Sequence, residues 1–438
     1  MKLPSNIEYI IKSLEEHNHE AYTVGGCIRD LLLGLEPEDW DICTSALPSE
    51  VKEVFRDFLV IDTGIKHGTV TLVLNKKHYE ITTFRIDGEY TDNRRPANVI
   101  FTRNINHDLS RRDFTINALA YNHKKGLIDL NSGIDDLKIG IIRCIGNPND
   151  RFTEDSLRIM RALRFASVFD FEIESQTKES IIRNKVLLIN ISVERIIIEL
   201  NKFLLGDKVK DLMLEFFPVF SEIIPELKDL QDFNQNNPFH EYDVLNHTLH
   251  SIEHAQKSVH IRLAMLFHDI GKPNCYTEVD EIGHFYGHPK ISSEIAENVL
   301  KRLKYDNETI KTVCDLIKYH DINCESEKSI KRLLNKIGKV RFEQLLEVKR
   351  ADTMAQSEYA KSLKLPILQE IKQLFDKILI KEQCFTLNDL AINGNDLIEL
   401  GISEGVKIGE ILNLLLEQVI DENVENNKET LISLLLKS

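Results

Sequence analysis

At 438 residues the chain is too long for one compact core, so two to four domains are expected. Its composition, 42% hydrophobic and 29% charged, is that of a globular protein, and no apolar run approaches the ~18 residues of a membrane span. A net charge of −15 argues mildly against nucleic-acid binding, although local patches decide that question. Seven cysteines without Cys-x-x-Cys spacing, and no secretory signal, indicate a cytoplasmic protein with reduced thiols.

The first predicted elements are a strand, a glycine turn and a helix. Strand Ala21–Val24 leads into Gly25-Gly26, where missing Cβ atoms let backbone N–H groups approach a ligand closely. The helix at 28–33 offers its N-terminal amides to phosphate, and Arg29 adds a positive charge. A turn that needs glycine only for its geometry is the alternative, which the acids that follow disfavour.

Those acids are two carboxylates one residue apart. On an extended strand, residues i and i+2 share a face, so Asp39 and Asp41 can bind the same divalent ions. Mg²⁺ takes oxygen ligands and leaves positions free for substrate phosphates. Glu80, on a predicted strand at 79–84, is a candidate third carboxylate, with an exposed strand residue as the alternative. The three acids predict metal-dependent nucleotidyl transfer.

The hydrophobic periodicity changes once along the chain. Up to about residue 145, short β-branched runs alternate with helical stretches, and from Thr153 onward a 3.6-residue spacing dominates. We therefore expect an α+β fold in which a head with a small mixed β-sheet precedes an all-helical remainder.

Two charged groups follow the predicted strands. Arg112 lies in an Arg-Arg-Asp run suited to phosphate, although a capped helix with surface arginines is the alternative. Further on, Thr153 is expected to cap a helix that places Asp155 beside Arg158. This pair is either an intrahelical ion pair or a mimic of a complementary base, selecting cytosine and adenine over uracil and guanine.

A histidine-rich constellation lies in the helical part. His247, the pair His268-Asp269 followed by Gly-Lys-Pro, and Asp352 together suit a transition-metal or mixed-metal hydrolytic centre. A lone helical histidine would more often be a satisfied interior residue.

In combination these motifs carry a resemblance. Residues 25–41, 111–118, 129–137 and Glu154-Asp155-x-x-Arg158 resemble the class II tRNA nucleotidyltransferases, or CCA-adding enzymes, which share their head with bacterial poly(A) polymerases. The resemblance covers roughly residues 20–205 and implies addition of C, C and A from CTP and ATP to the tRNA 3′ end, with Mg²⁺ on Asp39 and Asp41. The nucleotide-binding residues that it implies are Gly26, Arg29, Arg112, Asp155, Arg158, Arg161 and Arg164.

The histidine constellation resembles the HD-superfamily phosphohydrolases. By analogy its metal ligands are His247, His268, Asp269 and Asp352, with His288 and His320 as additional candidates. This resemblance implies a transition metal and a second, phosphohydrolase activity.

The resemblance also implies a domain order and leaves rival functions. The expected order is a nucleotidyltransferase head (1–145), a helical neck (146–230), an HD domain (235–360) and a helical tail (361–438). An A-adding or poly(A) polymerase, a phosphohydrolase whose head only binds nucleotide, and a noncatalytic RNA-binding protein are the alternatives. One candidate tRNA surface, equally explained as a solvated helix face, comprises Lys331, Arg332, Lys336, Lys339 and Arg341.

Overall fold

A computed structural model describes residues 1–88, 98–381, 383–402 and 405–437, which form two compact units, Met1–Pro225 and Glu226–Ser438. The fold is α+β, with a mixed sheet in the first unit and a helical second unit, as the sequence predicts. Within the described part of the chain, no helix has both the length and the apolar character that crossing a bilayer requires.

The first unit contains eleven helices and eleven strands among its described residues. The helices are α1 (Ser5–Glu16), α2 (Gly26–Leu32), α3 (Pro48–Val54), α4 (Ile105–Ser110), α5 (Gly133–Ile139), α6 (Pro148–Glu154), α7 (Leu157–Phe169), α8 (Ser175–Asn184), α9 (Val193–Leu204), α10 (Val209–Glu215) and α11 (Phe217–Ile223). The strands are β1 (Ala21–Val24), β2 (Ile42–Thr44), β3 (Leu59–Gly64), β4 (Thr69–Leu74), β5 (Lys77–Thr83), β6 (Arg85–Asp87), β7 (Val99–Phe101), β8 (Leu119–Asn122), β9 (Gly126–Asp129), β10 (Ile141–Ile142) and β11 (Glu172–Ile173). Short 3₁₀ helices span Ile65–His67, Thr115–Asn117 and Lys185–Asn190.

Seven strands form one sheet in the order β3-β4-β5-β2-β1-β8-β9. Strands β2 and β5 run parallel, with Ile42 opposite Ile81, and the other neighbours are antiparallel. The sheet is therefore mixed. Because β1 ends where β2 begins, the end of β1 and the residues before β2 and β5 lie at one end of the sheet.

Helix α1 packs on one face of this sheet. Its apolar residues recur at i, i+3, i+4 and i+7, and Ile7, Ile10 and Leu14 are completely buried in the same cluster as Val70 and Ile81 of the sheet. Burial of each such side chain contributes about 1.5–3 kcal/mol. The sheet is thus supported on this side by a continuous apolar layer.

The neck does not begin as predicted. Thr153 lies inside α6, whose N-cap is Asn147, and the side chain of Thr153 donates a hydrogen bond to the Asn149 carbonyl (2.8 Å). The helix ends at Glu154 because Asp155 adopts an extended backbone (φ −136°, ψ 100°), and α7 starts only at Leu157. The predicted cap was wrong, since two helices meet where one was expected.

The second unit is built mainly of helices. They are α12 (Val244–His254), α13 (Val259–Phe267), α14 (His288–Arg302), α15 (Asn307–Tyr319), α16 (Glu327–Met354), α17 (Glu358–Ile380), α18 (Gly394–Glu399), α19 (Gly405–Ile420) and α20 (Lys428–Lys437). A two-stranded hairpin, β12 (Thr277–Val279) and β13 (Ile282–His284), interrupts them, and short 3₁₀ helices lie at Pro225–Leu230, Lys272–Asn274 and Leu387–Asp389.

Two features shape this unit. Helices α12, α13, α15 and α16 pack against one another, so that the ends of several helices come together. The last described residues have an apolar cluster of their own, which includes Leu397, Leu416 and Leu431.

Candidate active sites

The three carboxylates predicted in the head meet at one end of the sheet. The amide of Val24, the last residue of β1, donates a hydrogen bond to the Asp41 carbonyl (3.0 Å). Asp41 and Glu80 directly precede the paired residues Ile42 and Ile81, so the parallel register places them side by side. The register thus brings two of the predicted catalytic residues together.

Asp39 lies close enough to Asp41 and Glu80 for its charge to affect the pKa of both. The intervening Trp40 is partly buried against the apolar cluster beneath the sheet, whereas Asp39 and Asp41 are exposed. The alternation in exposure agrees with the predicted i, i+2 relation of the two acids, but both precede β2 and do not lie within the strand on which they were expected. Glu80 is exposed as well, which leaves all three carboxylates accessible to a ligand.

The acids are electrostatically coupled. Partial desolvation raises the pKa of Asp41; Arg112 opposes this effect and Asp39 adds to it. The pKa of Glu80 is raised as well, mainly by desolvation and to a smaller extent by the negative charges of Asp41 and Asp39. Because a divalent cation would relieve this mutual repulsion and because carboxylate oxygens are ligands that Mg²⁺ prefers, the donor set fits such an ion.

The glycine turn lies at the same end of the sheet. Gly25 has a positive φ of 83°, and its amide donates to the Leu119 carbonyl (3.0 Å). A Cβ at Gly25 would lie 3.1 Å from Nη1 of Arg112. Glycine is therefore required both by the backbone conformation and by the close approach of this guanidinium group.

Arg112 is held by an acid that the sequence did not single out. Asp108 is completely buried and accepts hydrogen bonds from Nη2 of Arg112 (3.1 Å) and from Nη2 of Arg111 (2.7 Å). Burial by itself would raise the pKa of Asp108, but the two arginines outweigh it, so the pKa is lowered. Asp108 lies on α4, three residues before Arg111 and four before Arg112, and this helical spacing could have predicted the pairing from the sequence.

Arg29 points into a buried polar network rather than into solvent. Its Nη1 donates to Asn117 (2.7 Å), Asn117 donates to Asp113 (3.0 Å), and Asp113 also accepts from Nε of Arg161 (2.8 Å). The Arg29 guanidinium also lies over the ring of Phe165, 4.9 Å from its centroid. Two predicted nucleotide-binding arginines are thus joined through the centre of the unit.

Arg164 lies at the far side of the same network. Its guanidinium is 4.0 Å from the Phe165 ring centroid and 2.9 Å from Oε2 of Glu199 on α9. Burial lowers the pKa of Arg164 to about 10, although Glu199 has the opposite effect. Gly26, in turn, adjoins Arg29, since a Cβ there would lie 3.4 Å from Nη2 of that residue.

The predicted side-chain pair between Asp155 and Arg158 does not form, although the Arg158 amide donates a hydrogen bond to the Asp155 carbonyl (3.0 Å). Asp155 pairs instead with Arg195 of α9 (Nη2 to Oδ2, 3.1 Å), and Arg158 pairs with Glu154 (2.8 Å). The Arg158 Nη2 also donates to the Arg111 carbonyl (3.0 Å). The prediction was wrong because it assumed helical spacing across a residue where the helix has ended.

The predicted HD ligands converge in the second unit. His247 lies in α12, His268 directly follows α13, and Asp352 lies near the end of α16. The Nε2 atoms of His247 and His268 are 3.2 Å apart, and the Asp352 Oδ1 is 3.0 Å from the first and 3.6 Å from the second. Oδ2 of Asp269 lies 3.3 Å and 3.2 Å from the same two nitrogens.

These five distances of 3.0–3.6 Å, which relate each carboxylate oxygen to both histidine nitrogens and the nitrogens to each other, fit one transition-metal ion. Donors about 2.1 Å from a common centre lie roughly 3.0–3.4 Å from one another. The orientation of both imidazole rings is consistent with metal binding. Nδ1 of His247 faces the Ala355 carbonyl (3.3 Å), and Nδ1 of His268 faces the Met265 carbonyl (2.7 Å). A carbonyl at Nδ1 favours a proton there and leaves Nε2 free to bind metal.

Two further residues line this centre. Lys272 is buried and lies 2.7 Å from Asp269 Oδ2, while its ammonium group also donates to Gln235 (2.7 Å). His240 packs edge-on against His247, with ring centroids 4.9 Å apart, and was missed because one histidine without a motif carries no signal. A cavity of about 260 Å³ adjoins them, lined in part by His284, Tyr286 and Lys364.

The candidate basic surface is largely neutralised. Arg332 pairs with Asp421 (2.6 Å), Arg341 with Glu308 (2.6 Å), and Lys331 is buried 3.8 Å from Glu422. Three of its five cations thus already have acidic neighbours, which favours the solvated-helix interpretation.

Family models match three parts of the chain. Residues 21–143 match the poly A polymerase head domain, residues 170–230 the RNA and SrmB-binding site of polymerase A, and residues 281–435 the tRNA nucleotidyltransferase domain 2. Together with the acids at the sheet end, the head match defines the class of protein as a nucleotidyltransferase, a class in which divalent metal ions are used.

Whole-length relatives narrow this class. The CCA-adding enzyme of Ligilactobacillus salivarius is 35% identical over 97% of this chain and 94% of its own length, and that of Lactococcus lactis subsp. cremoris (strain MG1363) is 33% identical over 99% and 96%. The crystal structure of the Bacillus stearothermophilus CCA-adding enzyme in complex with CTP has a TM-score of 0.72 and 30% identity, covering 100% of this chain and 98% of that one. The chain belongs to the CCA-adding enzyme family of tRNA nucleotidyltransferases, which confirms the resemblance in its sequence.

Proposed function

We propose that this enzyme adds C, C and A to the 3′ end of tRNA from CTP and ATP, with release of pyrophosphate. The observation that carries the proposal is the convergence of Asp39, Asp41 and Glu80 with the Gly25 turn and Arg112 at one end of the sheet. The whole-length similarity to CCA-adding enzymes supports it. The acidic net charge does not oppose tRNA binding, because a local surface suffices for backbone contacts.

The residues of the head divide the work. Asp39 and Asp41, with Glu80 beside them, would hold Mg²⁺, which when bound lowers the cost of ionising the tRNA 3′-hydroxyl and of the negative charge on the leaving pyrophosphate. Arg112 at the glycine turn presents a fixed positive charge for the triphosphate. These groups at the end of the sheet would therefore align the tRNA 3′-hydroxyl with the α-phosphate.

Base choice is assigned to the region around Asp155. Its carboxylate can accept from the exocyclic amino group that cytosine and adenine share, and nearby guanidinium groups can donate to the ring acceptors of these bases. Arg158 remains the proposed donor, although it has to leave its contact with Glu154 to pair with a base. Arg161 and Arg164 are proposed to shape the pocket through Asp113 and Glu199.

One assay tests the reaction and separates the rivals. Labelled CTP and ATP are offered separately to a tRNA lacking all three terminal nucleotides, to one lacking only the terminal A, and to a complete tRNA. Incorporation of CTP into the first and of ATP into the second is expected. Incorporation of ATP alone would favour an A-adding enzyme. Extension of the complete tRNA would favour a poly(A) polymerase. If neither nucleotide is incorporated, nucleotidyl transfer is contradicted.

The same assay tests the acids. Asp41→Ala should lose at least about a hundredfold in rate while its fold is retained, because several kcal/mol of charge stabilisation disappear. Glu38→Ala is the matched control, since Glu38 is an exposed acid in the same segment. Equal activity of both variants would contradict the assignment of the metal to Asp41.

A second function is favoured by the metal-binding geometry of the HD centre. We infer that His247, His268, Asp269 and Asp352 bind a transition-metal ion and that this domain hydrolyses a phosphate ester. The bound ion would supply an activated water, and Lys272 a positive charge for the phosphate. Hydrolysis of bis(p-nitrophenyl) phosphate and p-nitrophenyl phosphate by chain reloaded with Mn²⁺ should disappear in His247→Ala, whereas tRNA extension should remain.

We also infer a cytoplasmic location, which the free state of the seven cysteines supports. We further propose that the head, neck, HD domain and tail meet at domain boundaries near residues 145, 230–235 and 360.

A further inference from the structure

One face of the sheet in the head is open beside the catalytic carboxylates. Residues directly opposite each other in antiparallel strands share a face, so the register of β3, β4 and β5 places Ile61, Thr71 and Glu80 in one row. Leu59 lies opposite Val73 in the next row, two residues from Ile61 and therefore on the same face. Leu59 is 63% exposed and Ile61 37% exposed. An apolar surface thus begins in the row that contains Glu80, and we call it the β3–β4 face.

The opposite face of the same strands belongs to the core. Val60, Leu72 and Tyr79 form a row there and pack in the apolar cluster that includes α1. Asp62 points to this side as well and pairs with Lys52 of α3 (2.6 Å). Single exposed apolar side chains are common, but a contiguous group of them beside a site marks an interaction surface. The β3–β4 face is such a group.

The order of the strands decides which reactant can use this face. Asp41, directly before β2, and Glu80 on β5 lie between the end of β1 on one side and β4 on the other. Arg112 adjoins the glycine turn at the end of β1, so the proposed triphosphate site is on the β1 side. In phosphoryl transfer the attacking and leaving oxygens are roughly in line, on opposite sides of the phosphorus. The attacking 3′-hydroxyl therefore comes from the side of β4 and β3.

We propose that the β3–β4 face holds the 3′-terminal nucleotide of the tRNA that is being extended, and that Leu59 and Ile61 pack against its base. These two side chains are positioning residues for the attacking hydroxyl. The inference rests on the proposed nucleotidyl transfer and adds to it a site for the acceptor end.

The chemistry of the face suits a changing terminal nucleotide. The last base of the acceptor differs from step to step as C, C and A are added. Aliphatic side chains carry no hydrogen-bond donor or acceptor that could read a base edge, so Leu59, Ile61 and Val73 can accept any of these bases. The hydroxyl groups of Thr63 and Thr71, 2.9 Å apart, add neutral polar groups that can bond to a ribose.

Steady-state kinetics test the proposal. Leu59→Ser and Ile61→Ser should each raise the KM for a tRNA lacking all three terminal nucleotides about five- to tenfold, the lower part of the range for packing against one base. The KM for CTP should not change. The same factor is expected for a tRNA lacking only the terminal A, with ATP, because the face does not read the base. Tyr9→Ser is the matched control, since Tyr9 is 45% exposed on α1, which packs on the opposite face.

Photocrosslinking gives a readout that a merely structural role would not move. Replacement of Leu59 by p-benzoylphenylalanine in the full chain should give a crosslink to the last nucleotide of the shortened tRNA, and the same replacement of Tyr9 should give none. If the parent chain extends tRNA, an unchanged KM for tRNA in both serine variants, an equal rise in the KM for CTP, or a crosslink only to internal nucleotides would overturn the proposed acceptor site alone. A parent chain that extends no tRNA would overturn the proposed function together with it.

Discussion

The Asp155 carboxylate is paired with Arg195, forty residues further along the chain, and not with Arg158 three residues away. Oδ2 receives Nη2 of Arg195 at 3.1 Å, while Oδ1 accepts from the Leu157 amide at 3.2 Å. Both oxygens are thereby oriented before any nucleotide arrives. A carboxylate oriented in this way can discriminate between bases without first losing its own rotational freedom.

Removal of this carboxylate should relax base choice. Asp155→Ala is expected to raise incorporation of UTP and GTP relative to CTP and ATP by roughly ten- to a hundredfold, the about 1–3 kcal/mol that a well-placed hydrogen-bonding pair supplies. Competition among the four nucleotides measures the effect, on a tRNA lacking all three terminal nucleotides for CTP and on one lacking only the terminal A for ATP. Asp135→Ala, at an exposed acid of α5, should keep the parental preference, and full exclusion of UTP and GTP by Asp155→Ala would refute the role.

Arg195 should act only through Asp155. Arg195→Ala is expected to shift the same nucleotide preference in the same direction but by less, because the Leu157 amide still holds one oxygen. If the two residues form one unit, the double variant Asp155→Ala/Arg195→Ala should be no worse than Asp155→Ala alone. Additive losses in this double-mutant cycle would instead give Arg195 an independent role.

The Gly25 turn should tolerate no side chain. Gly25→Ala is expected to cost about 1–2 kcal/mol of unfolding free energy through its positive φ, and to raise the KM for CTP because the new methyl group displaces Arg112. Gly34→Ala is the matched control, since Gly34 also has a positive φ (74°) but has no atom within 4 Å of the added Cβ. The unfolding free energy of Gly34→Ala should fall by a similar amount, but its KM for CTP should not change. An equal rise in KM in both variants would contradict displacement of Arg112 as the cause.

Glu80 should behave as a partner of Asp39 and Asp41. Glu80→Gln removes one negative charge from the sheet end, so the Mg²⁺ concentration required for half-maximal CTP incorporation should rise about tenfold or more. Titration of CTP incorporation against Mg²⁺ is the measurement. An unchanged Mg²⁺ dependence would return Glu80 to the alternative of an exposed strand residue.

The buried network around Asp113 should make the head sensitive to acid. Burial would raise the pKa of Asp113, but Arg161 and the Asn117 hydrogen bond outweigh it, so the pKa lies well below its usual range. A lowered pKa stabilises the fold above the unfolded value of about 3.9, and this contribution disappears as the pH falls below it. Asp113→Asn should therefore cost about 3 kcal/mol at pH 7 and progressively less below pH ~4.

Fluorescence of Trp40, the single tryptophan, follows this unfolding, since its side chain packs in the apolar cluster of the first unit. Asp135→Asn is the control. If the stability difference between Asp113→Asn and the parent chain does not change with pH, the ionised Asp113 carboxylate is not the source of the acid sensitivity.

Local patterns and motif spacing anticipated much of this protein. The Asp-x-Asp spacing predicted that Asp39 and Asp41 share a face, and both are exposed whereas Trp40 between them packs against the apolar cluster. The β-branched runs predicted β4 and β5, and the histidine motifs predicted the residues that meet at the HD centre. Such features depend on spacing along the backbone alone.

Pairing between distant elements was decided only by the tertiary structure. The parallel register of β2 and β5 brings Glu80 beside Asp41, and the extended residue between α6 and α7 turns Asp155 toward Arg195 on α9. Likewise, only the packing of α13, α14 and α15 turns one carboxylate, Asp269, toward two pairs of histidines. The sequence specifies the charged groups, but their partners depend on where each helix ends and how the elements pack.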